Sequence, residues 1–237
     1  MIFKLNKRLQ FPPPYLADPD GLLAFGGDLS PARLLLAYRM GIFPWYSHDE
    51  PILWWSPDPR MVLYPPKLKI SKSMRQTIKK RPFDISFDTD FDAVIAQCRQ
   101  TPRPGQSGDT WIDDEMQAAY CKLHRLGYAH SVEVRHAETK QLVGGLYGLA
   151  LGKCYFGESM FAHQSNASKM GFIALVKYLH QQQYALIDCQ VETEHLASMG
   201  AMAIPRHDFL AQIDQYLNFP TQQGKWIMPD ISKLIAV

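Results

Sequence analysis

Ala185–His195 reads ALIDCQVETEH, and where this stretch sits decides the fold. A strand alternates its side chains between two faces, so Ala185, Ile187, Cys189 and Val191 share one face while Leu186, Asp188, Gln190 and Glu192 share the other. The first face is core-like and the second is not. It carries a carboxylate and a carboxamide two residues apart, in a segment apolar enough for a central strand, where burying either without a partner is costly. Asp188 and Gln190 therefore either cap a neighbouring loop at a strand end or belong to a site.

Upstream of this strand, HSVEVRH, QLVGGLYGLALG and CYFGESMFA read as three successive strands with hairpin-like breaks at AETK and LGK. A long helix over residues 167–182 leads into it. A short helix around residues 195–199, Gly200, a brief strand at AMAI and a last helix near 208–217 follow it. This order of antiparallel strands, helix, polar-studded strand and short helix resembles the GNAT acyltransferase fold. CoA-dependent members carry Q/R-x-x-G-x-G/A at the strand-to-helix turn, where backbone amides at the helix N-terminus bind pyrophosphate. Here that place reads HQSNASKMG, which lacks those glycines.

Between residues 11 and 66 the chain is rich in Pro, Gly and Trp and contains one clear helix. Ser30 can cap it, Pro31 suits its first position and Gly41 can end it. Residues 1–65 are expected to form a small N-terminal domain ahead of a larger one over 66–237, with Trp54 and Trp55 packed between them. Next comes KLKISKSMRQTIKKR, with seven basic residues and no acidic one. If Ser71 caps a helix, Lys72, Arg75 and Lys79 follow the spacing of one face and Lys80 lies beside them. Such a stripe is either a solvated face or a contact for a phosphate backbone. Phe91, Val94, Ile95 and Cys98 form a core-facing helical stripe, and Met116, Ala119, Tyr120 and Leu123 form another. TPRPGQSGDTWID between them reads as a loop carrying an exposed or half-buried Trp111.

The 237 residues are 46% hydrophobic and 20% charged, the composition of an ordinary globular protein. No run is apolar and long enough for a signal peptide or a membrane span, which gives the expectation of a cytoplasmic protein. Cys98, Cys121, Cys154 and Cys189 are scattered without a CxxC pair, indicating neither zinc nor a disulfide framework. A formal charge of +2 does not imply a polyanion partner, so any such partner must be argued from where the charges sit.

FGGDLSPARLLLAYRMGIFPWYS, ILWWSPDPR, HSVEV, LVGGLYG, FGESMF, NASK and LIDCQV occur in this order. Together they resemble the leucyl/phenylalanyl-tRNA–protein transferases of bacteria from about residue 11 to 210. The resemblance implies a monomeric α/β (α+β) enzyme in which a GNAT-like acyltransferase domain follows the small N-terminal one. It implies transfer of Leu or Phe, and Met less well, from aminoacyl-tRNA to the α-amine of proteins beginning with Arg or Lys, marking them for degradation. No metal or nucleotide cofactor is implied. It makes Asp188 and Gln190 the catalytic pair, with the carboxylate accepting a hydrogen bond from the Gln190 amide so that its carbonyl oxygen turns to the attacking amine. The proton acceptor is left open among Gln190, the ribose 2′-hydroxyl and water.

In CYFGESMFA the Glu158 carboxylate shares a strand face with Cys154, Phe156 and Met160, either in an ordinary internal ion pair or as the group that hydrogen-bonds the acceptor peptide and favours a cationic N-terminal residue. By the resemblance Leu146, Tyr155, Met160, Phe172, Leu175 and Ile187 form the aminoacyl pocket. Trp45 and Trp111 meet the 3′ adenosine. Lys72, Arg75, Lys79 and Lys80 meet the tRNA backbone, and Gln76 stands where the family has another basic residue. His195 follows the site strand and reads as structural. A CoA-dependent acetyltransferase and a noncatalytic tRNA-binding module are the alternatives.

Overall fold

The computed structural model describes residues 2–47, 49–101, 111–227 and 229. Two sheets organise them. Strands β1 (Phe3–Leu5), β2 (Leu22–Gly26), β3 (Phe43–Pro44) and β4 (Leu53–Trp55) form a small sheet in the order β1-β2-β4-β3. Helix α1 (Pro31–Arg39) connects β2 to β3, capped by Ser30 Oγ, which accepts from the Arg33 amide, and ended by Gly41 at φ 70°. Only the helix was legible in the pattern; the short strands are made by pairing with one another.

The large sheet has seven strands: β5 (Arg60–Leu63), β6 (Phe83–Phe87), β7 (Ala129–His136), β8 (Leu142–Leu151), β9 (Cys154–Ala162), β10 (Leu186–Gln190) and β11 (Met202–Ile204). Their order is β11-β5-β10-β9-β8-β7-β6. Strands β6 to β9 run antiparallel, and β10 lies parallel to β9 after the crossover helix α5 (Ala167–Gln181). This is the GNAT-like arrangement expected of the order of elements. Strands β5 and β6 were not expected from the sequence.

Both faces of the large sheet are covered. Helices α2 (Lys72–Lys80) and α5 pack on one, with Met74, Ile78, Phe172 and Leu175 in a core shared with Tyr155 and Ile187. Helices α1, α3 (Phe91–Gln100), α4 (Asp114–Arg125) and α7 (Arg206–Tyr216) cover the other, whose core includes Leu186 and Phe156. Strand β10 is therefore buried on both sides, with Leu186, Ile187 and Asp188 each at most 1% exposed. Helix α6 (Glu194–Ser198) follows it, capped by Thr193. No helix among the described residues is long and apolar enough to cross a membrane.

The chain passes from the small sheet to the large one just ahead of residue 65. Arg60–Leu63 is a strand of the large sheet, paired with both β10 and β11. The core around Leu23 and Trp54 also runs without a break into that of Phe156. Trp54 is buried within the small sheet, its indole donating to the Gly26 carbonyl at 2.8 Å.

Arg60 supplies the reason. It is fully buried, and it donates from Nε to Asp188 Oδ1 at 2.8 Å and from Nη2 to Oδ2 at 2.7 Å. Its guanidinium lies 4.7 Å from the ring centroids of both Phe43 and Phe209, a cation–π sandwich. One residue thus ties small sheet, large sheet and α7 together. Removing one member of a buried pair leaves the other charge uncompensated, so Arg60→Ala is expected to cost about 3–5 kcal/mol in urea unfolding. The double change Arg60→Met with Asp188→Leu should recover most of that loss.

Candidate active site

The large sheet opens at one point. Strands β9 and β10 are paired from Leu186 opposite Cys154 as far as Asp188 opposite Phe156. Past that row β9 slips its register against β8 between Gly157 and Ser159, and β10 slips against β5 between Asp188 and Gln190. Gln190 itself turns to φ 62°, a left-handed conformation uncommon for a residue with a side chain. A bulge bends its strand and re-aims the side chains beyond it, and two facing bulges part the strands. Between them lies a cavity of about 380 Å³, within the usual range of roughly 300–1,000 Å³ for small-molecule sites.

Leu146, Tyr155, Met160, Phe172, Leu175 and Ile187 all line this cavity, and so do Glu158, Asp188 and Gln190. The bulge changes the face on which they meet. Regular alternation puts Glu158 and Met160 on the side of Cys154 and Phe156; the extra residue returns Met160 to the side of Tyr155.

Glu158 ends up where β9, β10 and two helices converge. Its Oε1 accepts from the Tyr38 hydroxyl at 2.7 Å and from Gln190 Nε2 at 2.9 Å, and its Oε2 accepts from the Tyr120 hydroxyl at 2.8 Å. The two phenol oxygens also touch each other. Burial pushes the Glu158 carboxyl up to about 7, helped by the negative charge of Asp188 and opposed by the bonds from Tyr38, Tyr120 and Gln190. Burial likewise holds both phenols well above their ordinary range.

The hydrogen bond expected from the Gln190 amide to Asp188 is not the one formed. Arg60 occupies both Asp188 oxygens, and the contact with Gln190 comes from its backbone N–H to Asp188 Oδ1 at 2.9 Å. The left-handed turn at Gln190 swings its side chain to Glu158 instead. Asp188 thus fixes the backbone of Gln190, and Glu158 fixes its carboxamide.

Arg60, Tyr38 and Tyr120 are the polar residues that sequence reasoning missed. Tyr120 read as a member of an apolar helix stripe, and Tyr38 stands in the Leu- and Ala-rich α1. A signal existed, because a phenol buried among aliphatic side chains needs a hydrogen-bond partner. His195, read as structural, lines the cavity with Thr193 and Leu196. Burial and the charge of Lys169 pull its imidazole below the usual value.

The remaining expected residues lie outside the cavity. Trp45 is 41% exposed, 5.7 Å between ring centroids from Trp55, which donates to the Trp45 carbonyl. Trp111, expected to be exposed or half-buried, is buried at 7% exposure; residues 102–110 of its loop lie outside the described residues. The neighbours of the two tryptophans meet, Tyr46 donating to Asp113 at 3.2 Å. Lys72, Arg75, Lys79 and Lys80 are all exposed on α2, opposite Met74 and Ile78, and none forms a salt bridge with a described carboxylate.

A family model described as leucyl/phenylalanyl-tRNA protein transferase matches residues 62–214, and one described as the N-terminal domain of that transferase matches residues 27–58. The chain belongs to this family. It is 56% identical over 225 residues to the leucyl/phenylalanyl-tRNA–protein transferase of Syntrophus aciditrophicus (strain SB), covering 95% of this chain and 93% of that one. It is also 56% identical over 221 residues to the one of Pseudomonas entomophila (strain L48), covering 92% and 96%. A GCN5-related N-acetyltransferase from Sphaerobacter thermophilus aligns at 11% identity with a TM-score of 0.39, over 81% of this chain and 60% of that one. As a leucyl/phenylalanyl-tRNA–protein transferase by family, the chain is an aminoacyltransferase enzyme.

Glu158 gives the transferase a built-in pH dependence. Its folded value of about 7 lies above the ordinary 4.5, so its stability contribution is complete below about 4.5 and is lost as pH rises through about 7. Carboxyl ¹³C NMR should find this titration. Because hydrogen bonds to the charged form lower a carboxyl value, Tyr38→Phe should move it upward. In Glu158→Gln the loss of stability across that window should disappear.

Proposed function

We propose that the enzyme transfers Leu or Phe, and Met less well, from aminoacyl-tRNA to the α-amine of proteins that begin with Arg or Lys, marking them for degradation. The observation that carries this reading is the cavity itself. Mostly apolar side chains, the six expected ones among them, surround a space of side-chain dimensions, and Glu158 and Gln190 line it as a bonded polar pair where the sheet opens. An apolar chamber suits Leu, Phe and Met. A carboxylate that ionises near pH 7 suits a cationic acceptor.

The donor is an activated ester, and an α-amine with an ordinary value near 7.7–8.0 is already roughly a tenth to a third neutral near pH 7. The site therefore has to align the reactants and shelter the charge that develops, more than supply a strong base. The amine nitrogen attacks the ester carbon, the new C–N bond forms, and the bond to the tRNA 3′ oxygen breaks. The proton shed by nitrogen ends on that departing oxygen, relayed by the neighbouring 2′-hydroxyl or a water. Gln190 holds the amine with its carboxamide oxygen, since its amide nitrogen is committed to Glu158. Glu158 supplies negative charge beside the developing ammonium and favours an acceptor with a basic first residue. Asp188, neutralised by Arg60, acts on the backbone of Gln190.

Exposed Trp45, whose neighbour Tyr46 bonds Asp113 two residues past Trp111, offers a stacking platform for the 3′ adenosine, a contact worth about 1–3 kcal/mol per base. The cations of α2, without an ion pair among the described residues, run along the tRNA backbone, and a tRNA donor sets the reaction in the cytoplasm with the enzyme acting as a monomer.

Incubation with labelled Phe-tRNA and peptides beginning with Arg, Lys or Ala, with acetyl-CoA as a parallel donor, tests the reading. Label should pass from tRNA to the Arg and Lys peptides only. Label from acetyl-CoA alone would point to an acetyltransferase, and tRNA binding without transfer would point to a binding module. Lys72→Glu, Arg75→Glu and Lys79→Glu together should weaken tRNA binding and flatten its dependence on log salt by roughly two to three units, about 0.9 per lost phosphate contact. Transfer from a minimal aminoacyl-adenosine should be little changed.

A further inference from the structure

The chain that follows α7 turns back across the large sheet and is pinned at successive points. Thr221 Oγ1 accepts from the Gly152 amide at 2.9 Å, Gln222 Nε2 donates to the Tyr178 hydroxyl at 3.4 Å, and the Gly224 amide donates to the Gly127 carbonyl at 3.2 Å. The approach is close: a Cβ at Gly127, which has φ 79°, would come within 2.3 Å of the Gly224 nitrogen. The last pin is the amide of Trp226, which donates to Asp88 Oδ2 at 2.7 Å.

Asp88 is buried and also accepts from the Ser131 amide at 2.8 Å, while its Oδ2 lies 2.8 Å from His130 Nδ1. His130 in turn stacks on the Trp226 indole, with ring centroids 3.7 Å apart and planes 8° from parallel. Backbone and ring of Trp226 are thereby both set by one carboxylate. The indole is only 1% exposed.

What this ring supports is the cavity. Its centroid lies 6.0 Å from that of Tyr155, a lining residue, and 5.1 Å from that of Tyr178. Tyr178 sits one turn along α5 from the lining residue Leu175 and two from Phe172. Trp226 does not itself line the cavity, so it forms a second layer behind two of its walls. The Tyr155 hydroxyl bonds to none of the described residues, and packing alone holds its ring.

We propose that Trp226 is a positioning residue that sets the depth of the aminoacyl pocket from behind Tyr155 and α5, and so helps determine which donor side chain is accepted. The inference rests on reading the cavity as the aminoacyl pocket. Protein interiors are close-packed, so a volume change in the second layer displaces the first. In an apolar pocket a difference of one methylene is worth about 10–200-fold in selection. A smaller residue at 226 lets Tyr155 settle back, and the deeper pocket favours the longer aromatic donor.

The test compares kcat/KM for Leu-tRNA and Phe-tRNA in Trp226→Phe, Trp226→Leu and the first-layer variant Phe172→Ala, with the acceptor peptide held constant. Trp226→Leu should shift the Leu:Phe ratio toward Phe by about tenfold, with Trp226→Phe shifting it less and acceptor KM unchanged in both. If Trp226→Leu does not fold, the smaller shift in Trp226→Phe decides. A shift in Phe172→Ala with equal losses for both donors in the Trp226 variants overturns the inference and leaves the pocket reading standing. If no variant moves the ratio, the pocket reading fails and the inference with it.

Discussion

The pairing of Arg60 with Asp188 is the constraint on which the rest of the structure depends. Two full charges are removed from water at the centre of the large sheet, which is tolerable only because they satisfy each other bidentately and two aromatic rings flank the guanidinium. The pair joins β5 to β10, and Asp188 Oδ1, already bonded to Arg60, also accepts from the Gln190 backbone. Strand β5 lies inside the large sheet, between β11 and β10, and the ion pair ties it there.

From that anchor the opening of the sheet follows. A parallel pair that stayed in register would close the space between β9 and β10 with backbone hydrogen bonds. Facing bulges at Glu158 and at Asp188–Gln190 end the pairing while both strands continue, so that their polar residues line a space and the core closes around it. The cost of leaving Glu158 there is offset by two phenols and a carboxamide, which lower its value, against burial, which raises it to about 7. A group balanced in this way responds to small changes nearby, a property suited to a site that handles an ammonium.

Under the proposed function the same geometry divides labour around the pocket. Selection falls to the apolar walls on the α5 side, including Tyr155 with Trp226 behind it. Orientation falls to the polar rim, where helices from both halves of the chain deliver Tyr38 and Tyr120. The basic stripe on α2 stands apart from both, as befits a contact with the body of a large substrate.

Much of this was legible in the sequence because it is set by neighbours along the chain. The caps at Ser30 and Ser71, the stop at Gly41, the strand–strand–strand–helix–strand order and the basic face of α2 all follow from residues within a turn or two of each other. The family resemblance likewise named six of the residues that line the cavity. The sequence alone did not determine which partner each buried polar group would meet. Alternation put Asp188 beside Gln190, yet Asp188 is claimed by an arginine 128 positions away and Glu158 by tyrosines 120 and 38 positions away. A buried charge is satisfied by whatever the fold brings to it. Two bulges, invisible to a period of two, decided which faces came together, so the chemistry of the site belongs to the tertiary structure and its scaffold to the local pattern.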